Sequence, residues 1–135
     1  MDLRESDLES FLADAREACA DDAQEIVGEI HAESGEIPLF VLLYEEHDLG
    51  RLGRALARTI ESRFPAGPPP FTVSAITQDE DVERHHAFVE GPDLLDELAH
   101  LRPFTAQTTF PRLDGAMFRS RVSARAAPVR GFGMR

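Results

Sequence analysis

The sequence of 135 residues contains no lysine, no asparagine, no tryptophan and only one cysteine. A single cysteine excludes an internal disulfide, and the sequence has no Cys-x-x-Cys or His-Glu-x-x-His pattern that would hold zinc. The bias against lysine and asparagine is typical of a high-GC genome or a salt-adapted cytoplasm and indicates no chemistry. No apolar run reaches the length of a membrane span, and the acidic N-terminus lacks a signal-peptide pattern. We therefore expect a cytoplasmic protein that does not bind membranes.

The first 35 residues predict one acidic amphipathic helix. Ser6 and Glu9 have the spacing of a capping box, and Ser34-Gly35 is a plausible end of the helix. Asp21-Asp22 is a point at which this helix could divide in two. The apolar residues at helical spacing are Leu8, Phe11, Leu12, Ala15, Cys19, Ala23, Ile26, Val27 and Ile30. This stripe indicates a helix packed on the core, or a dimerising arm, and it predicts that Cys19 is a buried, unreactive thiol.

The segment 36–64 predicts a strand, a short turn and an amphipathic helix, and the rest of the chain is organised around it. Ile37–Tyr44 is an apolar run, which is typical of a central strand covered on both faces. Asp48 can cap the helix that follows. The buried face of that helix is predicted to consist of Leu49, Leu52, Leu56, Ile60 and Phe64.

The remaining sequence predicts a stiff spacer at residues 65–70, a hairpin, a short helix and two further strands. The strands are expected at Phe71–Thr77, Val82–Val89, Phe104–Phe110 and Ala116–Ala124. The short helix is expected to start at Gly91-Pro92 and to end at Arg102-Pro103, with Leu94, Leu95, Leu98 and Leu101 on its apolar side. From residue 36 the order is βαββαβ plus one strand, which is typical of a ferredoxin-like antiparallel sheet. We therefore predict an α+β protein with three parts. These are the N-terminal helix (1–35), a ferredoxin-like domain with an extra C-terminal strand (36–125) and a flexible tail (126–135).

The charge of the chain is negative and unevenly distributed. There are 25 acidic residues, the 14 basic residues are all arginines, and the formal net charge is −11. Residues 1–50 hold fifteen acids and two arginines, whereas residues 51–135 hold ten acids and twelve arginines. A net acidic chain is repelled by phosphate backbones, so we expect no binding to nucleic acid. Arg51, Arg54 and Arg58 fall on one helix face, which either is solvated or meets the acidic first helix.

Polar residues follow the central strand, where α/β proteins often carry their sites. The sequence Glu-Glu-His-Asp at residues 45–48 could supply a general base. No nucleophile accompanies it, however, and a polar turn with a helix cap accounts for the same residues. His85 and His86 are neighbours in a predicted strand and point to opposite faces, so they cannot share a metal ion. We predict no catalytic site, no metal site and no cofactor.

The turn into the helix resembles that of the ACT domain, a regulatory family that carries Gly-x-Leu after its first strand. Here Gly50-Arg51-Leu52 stands within HDLGRLGRALARTI, with Leu49 where the family usually has proline. The segment VSAITQDEDVERHHAFVEG followed by DLLDELAHL is similar to the second half of the family, so the similarity covers about residues 36–104. The resemblance implies a module that binds an amino acid where two domains pair. The ligand-binding positions it implies are His47, Asp48, Leu49, Gly50 and Leu52.

The predicted function is non-enzymatic sensing of a small ligand, with an amino acid as the ligand. Backbone N–H groups at the helix start would hold its carboxylate, and the neighbouring acids would hold its ammonium group. An exposed sheet edge or face also suggests a homodimer. The alternative is a protein–protein adaptor without a ligand, which would use the N-terminal helix and arginine-bearing surfaces. The arginines assigned to partner binding are Arg51, Arg54, Arg58, Arg119 and Arg121.

Overall fold

The computed structural model describes residues 3–77, 84–91 and 93–101. Its elements are α1 (Glu5–Ala18), β1 (Ala23–Gly28), β2 (Ile37–Leu43), α2 (Leu49–Arg63), β3 (Phe71–Thr77), β4 (Arg84–Glu90) and α3 (Leu94–Ala99). The protein is therefore of the α+β class, as predicted. No helix in these ranges is long and apolar enough to cross a membrane. The two strands predicted after residue 103 and the tail 126–135 lie outside the described residues.

The four strands form one mixed sheet in the order β1-β2-β3-β4. β1 pairs antiparallel with β2, β3 pairs antiparallel with β4, and β2 pairs parallel with β3 through the α2 crossover. β2 is thus an interior strand, as its apolar run predicts. The parallel β2–β3 pair differs from the predicted antiparallel, ferredoxin-like order. β1 lies on one side of β2 and β3 lies directly against the other, so the α2 crossover joins adjacent parallel strands with no strand between them.

The prediction of one helix over residues 1–35 is wrong in its second half. The helix α1 ends at Ala18, a turn follows, and β1 takes the residues that were expected to continue the stripe. The strand is favoured because its backbone pairs with β2 from Ala23↔Leu43 to Gly28↔Leu39, which a helix cannot do. The start of α1 also differs from prediction. Its N-cap is Arg4, and the Asp7 carboxylate accepts a hydrogen bond from the Arg4 backbone N–H at 3.3 Å.

The three helices contribute to one core that includes alternate side chains of β2. On this face Leu39, Val41 and Leu43 are fully buried together with apolar residues of α1, α2 and α3. Side chains at the intervening strand positions form a second apolar cluster, which consists of Val27, Phe40, Leu42 and Ile76. Because strand side chains alternate, the two clusters lie on opposite faces of the sheet. β2 is therefore buried on both faces, as the sequence indicates.

Three phenylalanines join the middle of α1, the C-terminal end of α2 and the start of β3. Phe11 lies 5.2 Å from Phe71 and 5.8 Å from Phe64, measured between ring centroids, and Phe64 lies 5.8 Å from Phe71. Offset and tilted rings at these separations attract each other beyond the burial of their area. The cluster packs the C-terminal end of α2 against α1 and β3.

Candidate functional site

The candidate site lies at the carboxyl end of β2, in the turn that leads into α2. Because β1 runs antiparallel to β2, the residues just before β1 lie at the same end of the sheet. The backbone N–H of Tyr44 donates to the carbonyl of Asp22 at 2.9 Å and fastens the two segments together. The site therefore combines residues 44–48, the first turn of α2 and the turn that contains Asp22.

Asp22 is the centre of this site, and its side chain is almost completely buried. Its Oδ1 accepts from Arg51 Nη2 at 2.7 Å and from the Asp48 backbone N–H at 2.8 Å, and its Oδ2 accepts from Arg51 Nε at 2.8 Å. The hydrogen-bonded Arg51 guanidinium lowers the pKa of Asp22, and the Asp48 N–H acts in the same direction against the effect of burial. The carboxylate in turn raises the pKa of Arg51. Asp22 is therefore an ionised, structural carboxylate.

The helix start is closed by a second carboxylate. Asp48 is the N-cap of α2, as predicted, and its Oδ1 accepts from the Arg51 N–H at 3.0 Å. The N–H groups of Asp48 and Arg51 thus bind carboxylates that belong to the chain itself. The amino-acid hypothesis assigns donors at this helix start to the carboxylate of a ligand. A ligand would have to compete with Asp22 and Asp48 for them.

The structure separates the five predicted ligand-binding residues into two groups. His47, Asp48 and Gly50 lie at the surface, and His47 Nδ1 is 2.8 Å from the carbonyl oxygen of Tyr44. Leu49 and Leu52 belong to the hydrophobic core, with exposures of 8% and 0%. A Leu side chain buried in this way packs the helix against the sheet and offers no surface to a ligand.

The arginines of α2 also divide by position. Arg51 binds Asp22, and Arg63, which was not predicted to contact another segment, binds α1 through Asp14 Oδ2 at 2.7 Å and Ser10 Oγ at 2.6 Å. Arg54 and Arg58 are exposed and make no ion pair among the described residues. The sequence pattern missed Asp22, because only the antiparallel pairing of β1 brings it to Arg51. Arg119 and Arg121 lie outside the described residues.

Cys19 is buried beneath α2, as predicted, with Sγ 4.0 Å from the carbonyl oxygen of Leu52. Burial, with a smaller effect from Asp22, raises the pKa of this thiol to about 12. A thiol with such a pKa stays protonated at neutral pH and is a poor nucleophile. Cys19 therefore belongs to the core.

The opposite end of the sheet carries an open cavity of ≈ 610 Å³ at the starts of β2 and β3. Its lining consists of Glu36, Pro68, Pro69, Pro70, Phe71, Thr72 and Gly91. None of the predicted site residues lines it. Among the side chains that the structure describes, no group of His, Cys, Asp or Glu is arranged to hold a metal ion.

Comparison of the chain with protein-family models, with curated proteins and with solved structures finds no match. The function is therefore inferred from the side chains of this chain alone.

Proposed function

We propose that this protein is a non-enzymatic adaptor that binds a protein partner through a surface that extends from the carboxyl end of β2 along α2. This surface, called here the charged face, consists of Tyr44, Glu45, Glu46, Arg54 and Arg58. The observation that carries the proposal is Tyr44, which is 45% exposed and is the single large apolar side chain exposed in the described part of the chain. Tyrosine and arginine are enriched at protein interfaces, where an exposed aromatic ring often supplies much of the binding energy.

Three ionisable groups at this end of the sheet, those of Asp22, His47 and Cys19, have structural partners or are buried. Asp22 is bound to Arg51, His47 contacts the Tyr44 carbonyl, and Cys19 is buried and protonated. General acid–base or nucleophilic catalysis needs such a group to be free and turned toward a substrate. Glu45, Glu46, Arg54 and Arg58 are exposed and suit recognition of a charged surface instead.

A panel of free amino acids in a thermal-shift assay separates the adaptor from the amino-acid sensor. A ligand at 100 times its dissociation constant stabilises the fold by about 2.7 kcal/mol, which is readily detected. The adaptor proposal predicts no shift, because Asp22 and Asp48 already accept from the N–H groups of Asp48 and Arg51 at the helix start. The variant Gly50→Leu is the control. A Cβ there would lie 3.2 Å from the flexible end of Arg54, which can move aside. If a free amino acid raises the unfolding temperature of the parent and Gly50→Leu abolishes that rise, the result would favour the amino-acid sensor over the adaptor.

Selection of binders from a random peptide library tests the charged face directly. We expect the enriched peptides to bind the parent protein and to lose at least about tenfold in affinity for the variant Tyr44→Ser, Glu45→Gln, Glu46→Gln. The control is Glu9→Gln, Glu33→Gln, which changes two exposed acids at other positions. Peptides that bind the triple variant as well as the parent, or a selection without enrichment, would contradict the proposal.

A further inference from the structure

The charged face has two ends of opposite sign. Glu45 and Glu46 are exposed in the turn before α2, and Arg54 and Arg58 are exposed on the helix itself. Arg51 and Arg63, which precede and follow these two arginines on the same helix, are held by Asp22 and Asp14. The chain thus neutralises the arginines near the ends of α2 and leaves the two between them without an ion pair among the described residues. Like charges one helical turn apart repel each other, and an acidic partner would relieve that repulsion.

Resting on the proposed function, we infer that the partner is a second copy of this chain. A two-fold interface brings the same patch together twice, so a patch with one acidic and one basic end is complementary to itself. Arg58 lies ten residues beyond Asp48, about 15 Å along the helix axis. If two α2 helices pack antiparallel about an axis level with Leu52, Arg58 comes level with the turn before α2 of the partner subunit, which carries Glu45 and Glu46. Each dimer then contains two such contacts.

The same arrangement gives a role to Tyr44. Tyr44 lies at the end of β2 beside the acidic residues, at the edge of the paired helices. Its ring supplies apolar area to an interface that otherwise consists of charged side chains.

Charge reversal with analytical ultracentrifugation tests this inference. We expect the parent to pass from the 15.0 kDa monomer to a dimer of twice that mass as its concentration rises. We make two double variants, one with Glu45→Arg and Glu46→Arg and the other with Arg54→Glu and Arg58→Glu. Each should weaken self-association by at least about 100-fold, because like charges then face each other. An equimolar mixture of the two variants should form a heterodimer, because every contact again joins opposite charges. A chain that carries all four reversals should dimerise as the parent does.

The control variant Glu9→Arg, Glu33→Arg has the same net charge change as the acidic-end reversal and should dimerise as the parent does. Circular dichroism checks that every variant is folded.

A parent that stays monomeric at millimolar concentration in low salt, or a dimer that both reversals leave intact, would overturn the inference. If selected peptides still require the charged face while the parent is monomeric, the adaptor proposal stands and self-association alone fails. If the peptides ignore that face too, both fail.

Discussion

At the scale of single residues, the Asp22 carboxylate is the group on which the candidate site depends. It accepts three hydrogen bonds from Arg51 and Asp48 and is almost fully buried, so its replacement leaves donors without their charged acceptor. We expect Asp22→Asn to lower the free energy of unfolding by about 1–3 kcal/mol at pH 7. Urea titration measures this loss. Asp21→Asn is the matched control, since Asp21 is exposed and should change stability little.

The pH dependence of the Asp22→Asn effect follows from the lowered pKa of Asp22. The stabilisation by the carboxylate is complete above the pKa of the unfolded chain, about 3.9, and is lost as the pH falls from there through the lower pKa of the folded protein. The stability difference between parent and variant should therefore be constant from pH 7 to about pH 5 and shrink below pH 4. A difference that stays constant at lower pH, while both proteins are folded, would show that ionisation of Asp22 is not its origin.

Gly53 provides the second prediction at this scale, because the backbone of α3 approaches α2 there. A Cβ on Gly53 would overlap the backbone carbonyl of Leu98 and would lie 3.0 Å from the Leu101 Cβ. We expect Gly53→Ala to destabilise the fold by about 1–3 kcal/mol or more, although alanine favours a helix. Gly50→Ala, on the same helix, should be neutral or stabilise by up to about 1 kcal/mol. Equal effects of the two substitutions in thermal unfolding would contradict this reading of the α2–α3 contact.

The residue scale also shows what the sequence can predict about this site. The cap at Asp48 is predictable because capping is local: an acceptor side chain precedes a helical apolar pattern. The Asp22–Arg51 pair is not, since it joins residues 29 apart through a strand pairing that the pattern did not reveal. The close contact at Gly53 likewise depends on where α3 packs. Leu49 and Leu52 were correctly placed on the buried face of the helix, and their side chains therefore do not line the surface site.

At the scale of elements, β1 shows why the sequence pattern predicted a helix where the protein forms a strand. Ala23, Ile26 and Val27 have the i, i+3, i+4 spacing of a helix, but a short run of this kind is also compatible with a strand. The choice between them depends on β2, which offers unpaired backbone groups along one side. Ile26 then faces the helices and Val27 faces the other side of the sheet. Local periodicity thus predicts burial of these residues correctly and their secondary structure incorrectly.

The outer edge of β1 is closed by two side chains, and this gives a prediction for the element. The Ile26 N–H donates to Glu25 Oε1 at 2.9 Å, and the Ile26 carbonyl accepts from Arg16 Nε at 3.0 Å, while Arg16 and Glu25 pair at 2.7 Å. Both outward-facing backbone groups of Ile26 are therefore occupied, which protects an edge strand from pairing with another chain. We expect Glu25→Ala to accelerate hydrogen exchange of the Ile26 amide.

The Val27 amide is the internal control for this exchange experiment, because alternate residues of an antiparallel strand direct their N–H groups to opposite sides. Val27 is paired with Phe40 of β2, so its exchange should change much less. Equal acceleration of both amides would mean that the whole strand opens, and unchanged exchange at Ile26 would mean that Glu25 does not protect it. Either result would contradict the role assigned to the Arg16–Glu25 pair.

At the scale of the whole molecule, the α+β class and the central position of β2 were predictable, and the sheet order was not. The alternation of strands and helices and the double-sided burial of β2 are properties of the sequence itself. Whether two strands joined by a helix lie side by side or leave room for a third depends on what else pairs with them. Here β3 lies directly beside β2, and the N-terminal segment adds β1 to the other side of β2.

The net charge of −11 leads to the last prediction. Several exposed acids, among them Glu9, Glu17, Asp21 and Glu33, make no ion pair among the described residues, so the folded chain repels itself. Sodium chloride screens this repulsion, since the Debye length is about 10 Å at 0.1 M salt. At pH 7 and at a dilute concentration that keeps the chain monomeric, we expect the midpoint of urea unfolding to rise with salt. Near the sequence pI of 4.8 the net charge vanishes and the rise should largely disappear. A midpoint that falls with salt at pH 7 would show instead that attractive pairs such as Arg63–Asp14 dominate the electrostatics of the fold.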